Sequence, residues 1–296
     1  MPHEEWLRKL TKLNKARGNA PHKPLLLLVF LEMADRGEAD WDGQSLTPEL
    51  AFRFETFSCV VQHRRTQRLD IRMPFHHLKT QGFWSARTET GEPSKHRSVT
   101  RFIVFDPDFA TACRDPEFRK VARRVLIATH FEPAERNALY SLVGLKVPAD
   151  DEIALHAMFE TPDDATQAGR TGRFRLDVVS AYDYTCALTG YRLSTVASGT
   201  IVDAAHIHQF AESLNNDPRN GMALSKNAHW LFDSGLWSVD DDFRILVAAD
   251  EFTESSPCQK PLTEFAGEQL QLPANDQLWP DPRHLRWHRT NRFLGR

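Results

Sequence analysis

Three short stretches decide how the chain is read: Val202-Asp-Ala-Ala-His-Ile207, Asp217-Pro-Arg-Asn-Gly221 and Asn227-Ala-His-Trp-Leu-Phe-Asp233. His206 and Asn220 stand fourteen residues apart, Asn220 and His229 nine, and Asp233 follows His229 by four. The text around them is strand-like over 200–205 and again over 221–224, then turns helical over 227–232. On a helix, positions i and i+4 share a face. His229 and Asp233 can therefore grip one cation with an imidazole nitrogen and a carboxylate oxygen. His206, near a strand end, approaches the same place from across the hairpin.

Working outward, the helix expected to precede this unit spans about 174–182, with Phe174, Val178 and Val179 on one face. Upstream, 146–172 is turn-rich and mostly polar and reads as a linker. The first half opens with helical spacing of Trp6, Leu10 and Leu13 over 3–17, broken at Gly18-Asn-Ala-Pro21. Pro24 then stands at a helix start, Leu25 to Met33 follows, and Gly37 closes the segment. A helix that is apolar this far round implies burial on most sides. Thr47-Pro48 opens a further helix to about Val61, 101–105 reads as strand, and 119–129 as helix. No solenoid repeat is present.

Composition bounds the function. With 296 residues, nineteen Phe and seven Trp, the chain has material for two packed domains, and wholesale disorder is excluded. The longest apolar run, Leu25 to Leu31, has seven residues, too few for a membrane span of about 20. The N-terminal text lacks the basic-then-apolar pattern of a secretory signal. The four cysteines lie far apart with no Cys-x-x-Cys. Neither a disulfide framework nor a thiolate zinc cage is therefore expected, and a reducing cytoplasm is the expected compartment. The net charge of −3 hides an asymmetry: 24 Lys and Arg against 19 acids in residues 1–150, and 13 against 21 in 151–296. Residues 62–101 alone hold nine basic residues (Arg64, Arg65, Arg68, Arg72, Lys79, Arg87, Lys95, Arg97, Arg101) against three acids. Histidines 63, 76, 77 and 96 and the aromatics Phe75, Phe83 and Trp84 lie among them. Such a stretch can neutralise phosphates while its aromatic groups meet sugars, bases or a modification.

The residues of 170–235 resemble the HNH endonucleases. Cys186-Ala-Leu-Thr-Gly190, Ala204-Ala-His-Ile207, Asn220-Gly-Met-Ala-Leu224 and His229-Trp-Leu-Phe-Asp233 carry the match, and Trp287-His-Arg289 with Asn291 and Phe293 is similar to the tail of restriction-type members. The resemblance implies a two-stranded ribbon and a helix around one divalent ion, Mg²⁺ or Mn²⁺. It makes His206 the general base and Asn220 the residue that holds its imidazole by a hydrogen bond. His229 and Asp233 become metal ligands. Ala205 departs from relatives that carry Asp or His there; Asp203, two residues earlier on the strand, is the carboxylate that could reach the metal instead. Cys186 reads as a small packed hydrophobe. His284 and His288 form another i,i+4 pair, whose Arg-rich setting suggests a solvated or phosphate-facing surface.

A second resemblance covers about residues 5–130. Ala20-Pro-His-Lys-Pro-Leu-Leu-Leu-Leu28 and Met73-Pro-Phe-His-His-Leu78, with Gly82-Phe-Trp84, look like the sulfur-binding domain of phosphorothioate-dependent HNH restriction enzymes. In that family an apolar pocket meets the backbone sulfur while basic side chains hold neighbouring phosphates. Here the pocket would involve Met73, Pro74 and Phe75, with His22 and Lys23 beside it and Arg64, Arg65, Arg68 and Arg72 on phosphates. Met73 stands where relatives carry an aromatic.

These readings converge on an α+β protein. Residues 1–145 form a mostly helical DNA-recognition domain, 146–172 a linker, and 173–296 a ββα-metal nuclease domain. The expected activity is metal-dependent hydrolysis of double-stranded DNA, restricting phosphorothioated or foreign DNA in the cytoplasm, with no membrane partner. Two-strand cleavage from one site per chain would favour a homodimer. The rivals are an HNH nuclease without modification dependence and a DNA-binding regulator with a relic ββα unit.

Overall fold

The computed structural model describes residues 2–13, 21–64, 70–145, 164–255 and 258–295. Helices alternate with small antiparallel sheets, giving an α+β fold that divides into two units: residues 1–173 with 195–199, and residues 174–194 with 200–296.

The first unit is built around the helix His22–Asp35, whose residues from Pro24 to Met33 are all buried. With no polar face, that helix can only lie inside the unit. Phe30 meets Trp84 and Phe105 edge-on, at centroid distances of 5.7 and 5.4 Å, and Trp6 packs on Phe83 and Phe109. These aromatic contacts link the helix to a three-stranded antiparallel sheet, in which Phe102–Phe105 lies between Gln44–Ser45 and Trp84–Arg87. The surrounding helices start where their sequences dictate. Thr47 Oγ1 accepts from Leu50 N at the head of Pro48–Ser58, and Asp106 and Asp115 cap Pro107–Arg114 and Pro116–His130. Each of these helices begins with Pro, whose missing N–H is one the first turn leaves unpaired anyway.

Several expectations shift. The opening helix is Pro2–Thr11; the breaker at 18–20 and the linker stretch 146–163 lie outside the described residues. The helix expected from about 174 begins ten residues earlier and runs Asp164–Ala181. The polar character of 164–172 had masked it. Short elements with little periodicity, among them Arg72–His77, Pro107–Arg114, Pro133–Leu142 and Trp84–Arg87, carry no clear secondary-structure signal in the sequence.

In the second unit, strand Val202–His206 pairs antiparallel with Gly221–Ser225, so that His206 lies opposite Gly221 and Val202 opposite Ser225. The chain turns directly from the second strand into helix Lys226–Asp233, with Ser225 Oγ accepting from Ala228 N. A second hairpin, Trp237–Val239 with Ile245–Val247, braces that helix: the Trp237 indole donates to Ala228 O at 3.0 Å. The C-terminal helix Pro282–Asn291 completes the unit, and its His288 is buried rather than solvated. The imidazole stacks on Phe232 at 3.7 Å and bonds Ser238, and its burial holds the pKa at about 4. No helix among the described residues is long and apolar enough to cross a membrane.

Gly221 is required by close packing. A Cβ there would come within 2.5 Å of Val178 Cγ2 and 2.7 Å of Phe174 Cζ, both interior side chains. Gly221→Ala is expected to destabilise the second unit by about 1–3 kcal/mol, as overpacking does, measured by urea unfolding of the full chain.

Candidate active site and DNA-facing surface

The loop 207–220 leaves the first strand of the hairpin and returns to the second. Its two ends are fastened together by one buried side chain. Asn220, with no exposed surface, accepts from His208 N through Oδ1 at 2.8 Å, and its Nδ2 donates to His208 O at 2.9 Å and Asn215 O at 3.1 Å. The amide is fully engaged with backbone. The hydrogen bond expected from Asn220 to the His206 ring is therefore replaced by an indirect one: Asn220 secures the loop into which His206 leads.

His206 is gripped by other groups. Its ring stacks on Phe174 at 3.9 Å with planes 8° apart, Phe210 packs at 5.6 Å, and Nε2 hydrogen-bonds Asn216 Oδ1 at 2.9 Å. Burial lowers its pKa below the ordinary imidazole range. The bond to Asn216 opposes that shift, His229 adds to it, and the nearby Asp233 opposes it. This electrostatic coupling puts His206 in the neighbourhood of His229 and Asp233. His229 Nε2 and Asp233 Oδ2 face each other at 3.3 Å, both partly open to solvent. Asn216 was not singled out in the sequence, because Asn215-Asn-Asp-Pro218 carries no signal beyond that of a turn.

Asp203 is placed differently from the expectation. An odd spacing of three puts it on the opposite face of the strand from His206. Its carboxylate is held by Arg175 Nε at 2.7 Å and by the N–H of Ala204. It is thus engaged away from the strand face that carries His206. His208 stacks on Trp287 at 3.9 Å, and His284 Nε2 bonds Asn215, so both brace the loop. Cys186 is buried beside Ser225, matching its reading as a packed side chain.

In the first unit the expected DNA contacts separate into two groups. Arg64 turns inward: its guanidinium pairs bidentately with the fully buried Glu135, with Nε to Oε1 at 2.6 Å. A buried carboxylate needs that partner, so Arg64 is not offered to phosphate. Phe75 is fully buried and Pro74 is buried beside it, which makes them core. Arg65 and Arg68 lie outside the described residues. What remains outward is a cationic cluster around Met73. His22 and Met73 are half-buried, Lys23 Nζ donates to Gln81 at 2.6 Å, Lys79 Nζ to Ser94 O at 2.6 Å, and Arg97 to Met73 Sδ. Burial lowers the pKa of His22 and Lys23. Burial also lowers His77, with Lys23, Arg97 and Lys79 adding to the effect, and burial with Lys79, His77 and His96 holds His76 at about 4. These histidines sit in a positive field. Arg72, half-exposed on the same short helix Arg72–His77, flanks it.

Comparison with known proteins gives these geometries a family. Residues 186–240 match the HNH endonuclease family model, and residues 3–148 match that of the ScoMcrA-like DNA sulfur-binding domain. The chain joins an HNH endonuclease domain to a DNA sulfur-binding domain. The HNH match contains His206, Asn220, His229 and Asp233, and the sulfur-binding match contains the whole cationic cluster. Among solved structures, a modification-dependent TagI restriction endonuclease is similar, at 19% identity and a TM-score of 0.30 over 40% of this chain. The chain spans 36% of that protein. No curated protein matches.

The inward role of Arg64 is directly testable. Arg64→Ala leaves Glu135 buried without its guanidinium and is expected to cost about 3–5 kcal/mol. The measurement is a urea unfolding midpoint compared with that of Arg72→Ala, which should match wild type.

Proposed function

We propose that the protein is a divalent-metal-dependent DNA endonuclease that restricts phosphorothioated or otherwise modified duplexes. The first unit reads the backbone and the second cuts it. The observation that carries the reading is the convergence of a clamped, largely neutral imidazole with an imidazole–carboxylate pair one helical turn apart.

The donor set fits a divalent cation: His229 Nε2 and Asp233 Oδ2 already face each other at 3.3 Å and are partly open to solvent. Mg²⁺ or Mn²⁺ held there would stabilise charge on the phosphoryl oxygens as it develops. His206 takes the proton from the attacking water. Its lowered pKa keeps it neutral, hence basic, at neutral pH. The water oxygen bonds to phosphorus while the scissile P–O bond breaks. Phe174 and the loop fastened by Asn220 hold the imidazole in place, which limits the reorganisation needed at the moment of reaction. Asp203, paired with Arg175, is left out of this ligand set.

On the first unit, Met73 supplies a polarizable apolar contact for a backbone sulfur, which is larger and more weakly hydrated than oxygen. Lys23, Arg72, Lys79 and Arg97 hold the neighbouring phosphates. Two-strand cleavage would draw on two copies of the chain.

Three outcomes are expected. His206→Ala loses about 10²–10⁴ in cleavage rate with DNA binding retained, measured by plasmid cleavage and filter binding. Wild-type kcat/KM falls as His206 protonates, with the acid limb below about pH 6.5 because burial lowers this pKa. Matched duplexes with and without backbone sulfur are cut at different rates, and Met73→Ser erases the difference while Arg72→Ala weakens both and reduces the salt slope by about one. Equal cutting of the two duplexes by wild type rejects the sulfur reading and keeps the nuclease. Binding without metal-stimulated cleavage makes the protein a regulator instead.

A further inference from the structure

We infer that Asn216 is the positioning residue of the nuclease site, fixing both the orientation and the tautomer of His206. The inference rests on the proposed role of His206 as general base.

An imidazole acts as a base through one nitrogen, and the hydrogen bond at the other nitrogen decides which one is free. The Asn216 carbonyl Oδ1 lies 2.9 Å from His206 Nε2. A carbonyl oxygen can only accept, so it calls for a proton on Nε2 and leaves the lone pair on Nδ1. Among the described residues Nδ1 has no hydrogen-bond partner, so that lone pair is free to take a proton from water.

The loop is built to present this amide. Leu214, immediately before the two asparagines, takes the left-handed conformation at φ 49°, which reverses the chain. Asn215 is fixed at both ends: its carbonyl accepts from Asn220 Nδ2 at 3.1 Å, its Oδ1 from Asp217 N at 2.9 Å, and its Nδ2 contacts His284 Nε2 at 3.2 Å. On the other side, Asp217 caps the turn Pro218–Asn220 through Arg219 N at 2.8 Å. Asn216 is thus held between two anchored neighbours while its own side chain points at the imidazole. Phe174 covers one ring face, so rotation of His206 away from Asn216 would break a stacked contact at 3.9 Å as well as the hydrogen bond. The division of labour is clear: Asn220 shapes the loop, and Asn216 orients the base.

The test uses the full chain labelled with ¹⁵N-histidine and free of metal, with the imidazole nitrogens read at pH 8 by long-range ¹H–¹⁵N spectra. His206→Ala assigns the signal. Wild type is expected to show Nε2–H, Asn216→Ala a mixture of tautomers, and Asn216→Asp, which keeps an acceptor, a return to Nε2–H. In plasmid cleavage, Asn216→Ala should lower kcat about 10- to 100-fold, as loss of a partner that orients a working histidine does. KM for DNA and the Mg²⁺ requirement should stay unchanged, and Asn216→Asp should recover most of the rate. A wild-type Nδ1–H tautomer, or unchanged tautomer and kcat in Asn216→Ala, overturns the inference. Full activity in His206→Ala overturns the base assignment itself, a separate result, because the tautomer spectra report on Asn216 whether or not His206 is the base.

Discussion

The three hydrogen bonds of the Asn220 amide are the constraint on which the second unit depends. An unpaired amide at a site with no solvent access would cost about 1–3 kcal/mol, so each bond pins a piece of backbone. Two of them pin His208, just past the strand that carries His206, and the third pins Asn215. The side chain therefore joins the exit of one strand, the middle of the loop and, through its own backbone, the entry of the next strand. With both ends of the loop fixed, the register that sets His206 opposite Gly221 is fixed too. The tight approach at Gly221 then lets Phe174 come close enough to stack on the His206 ring. Loop, strand and helix meet at one imidazole.

Both units pair the carboxylates they bury, the second through Asp281 and Arg283. In the first, carboxylates that lose solvent are neutralised internally: Glu135 by Arg64, and Glu32 by Arg53 at 2.8 Å. Around Met73 the positive charges lie near Asp70, which opposes the lowering at His22, while burial, with Lys79, His77 and His96 adding to it, holds His76 near 4. A surface of this kind attracts a polyanion through phosphate contacts and counterion release, whatever the base sequence. On the proposed reading, selectivity for a modified backbone would come from the apolar contribution of Met73, because Phe75 and Pro74 are committed to the core.

Much of the site was legible in the sequence because its spacing is tied to simple periodicities. The i,i+4 relation of His229 and Asp233 follows from helical geometry, and the stretches either side of the loop 207–220 are strand-like in sequence. What the sequence concealed was side-chain direction. Asn220 and Asn216 are the same residue type four positions apart in one loop, and no local pattern says which amide turns to the backbone and which to the ring. Arg64 and Arg72 are likewise equivalent in a charge count. One is buried because Glu135, some seventy residues away, needs it. Asp203 was misplaced for a related reason. Its spacing from Ala205 suggested the ligand face, whereas the strand parity relative to His206 and the presence of Arg175 send it elsewhere.

The placement of Asp203 bears on how the site could work with few protein ligands. With Ala205 offering no donor and Asp203 paired with Arg175, the proposed cation grip would rest on one imidazole and one carboxylate. A cation held by two side chains keeps most of its coordination positions for water and for phosphate oxygens, as Mg²⁺-type sites commonly do. Its retention then depends on the DNA itself. On the proposed reading such a site would be weak in the free protein and complete only with a phosphodiester against it, which would tie cutting to prior capture of the duplex. That division suits a chain whose separate DNA-binding domain does the capturing, and it gives a physical reason for joining a basic reading unit to a nuclease unit with an acidic balance.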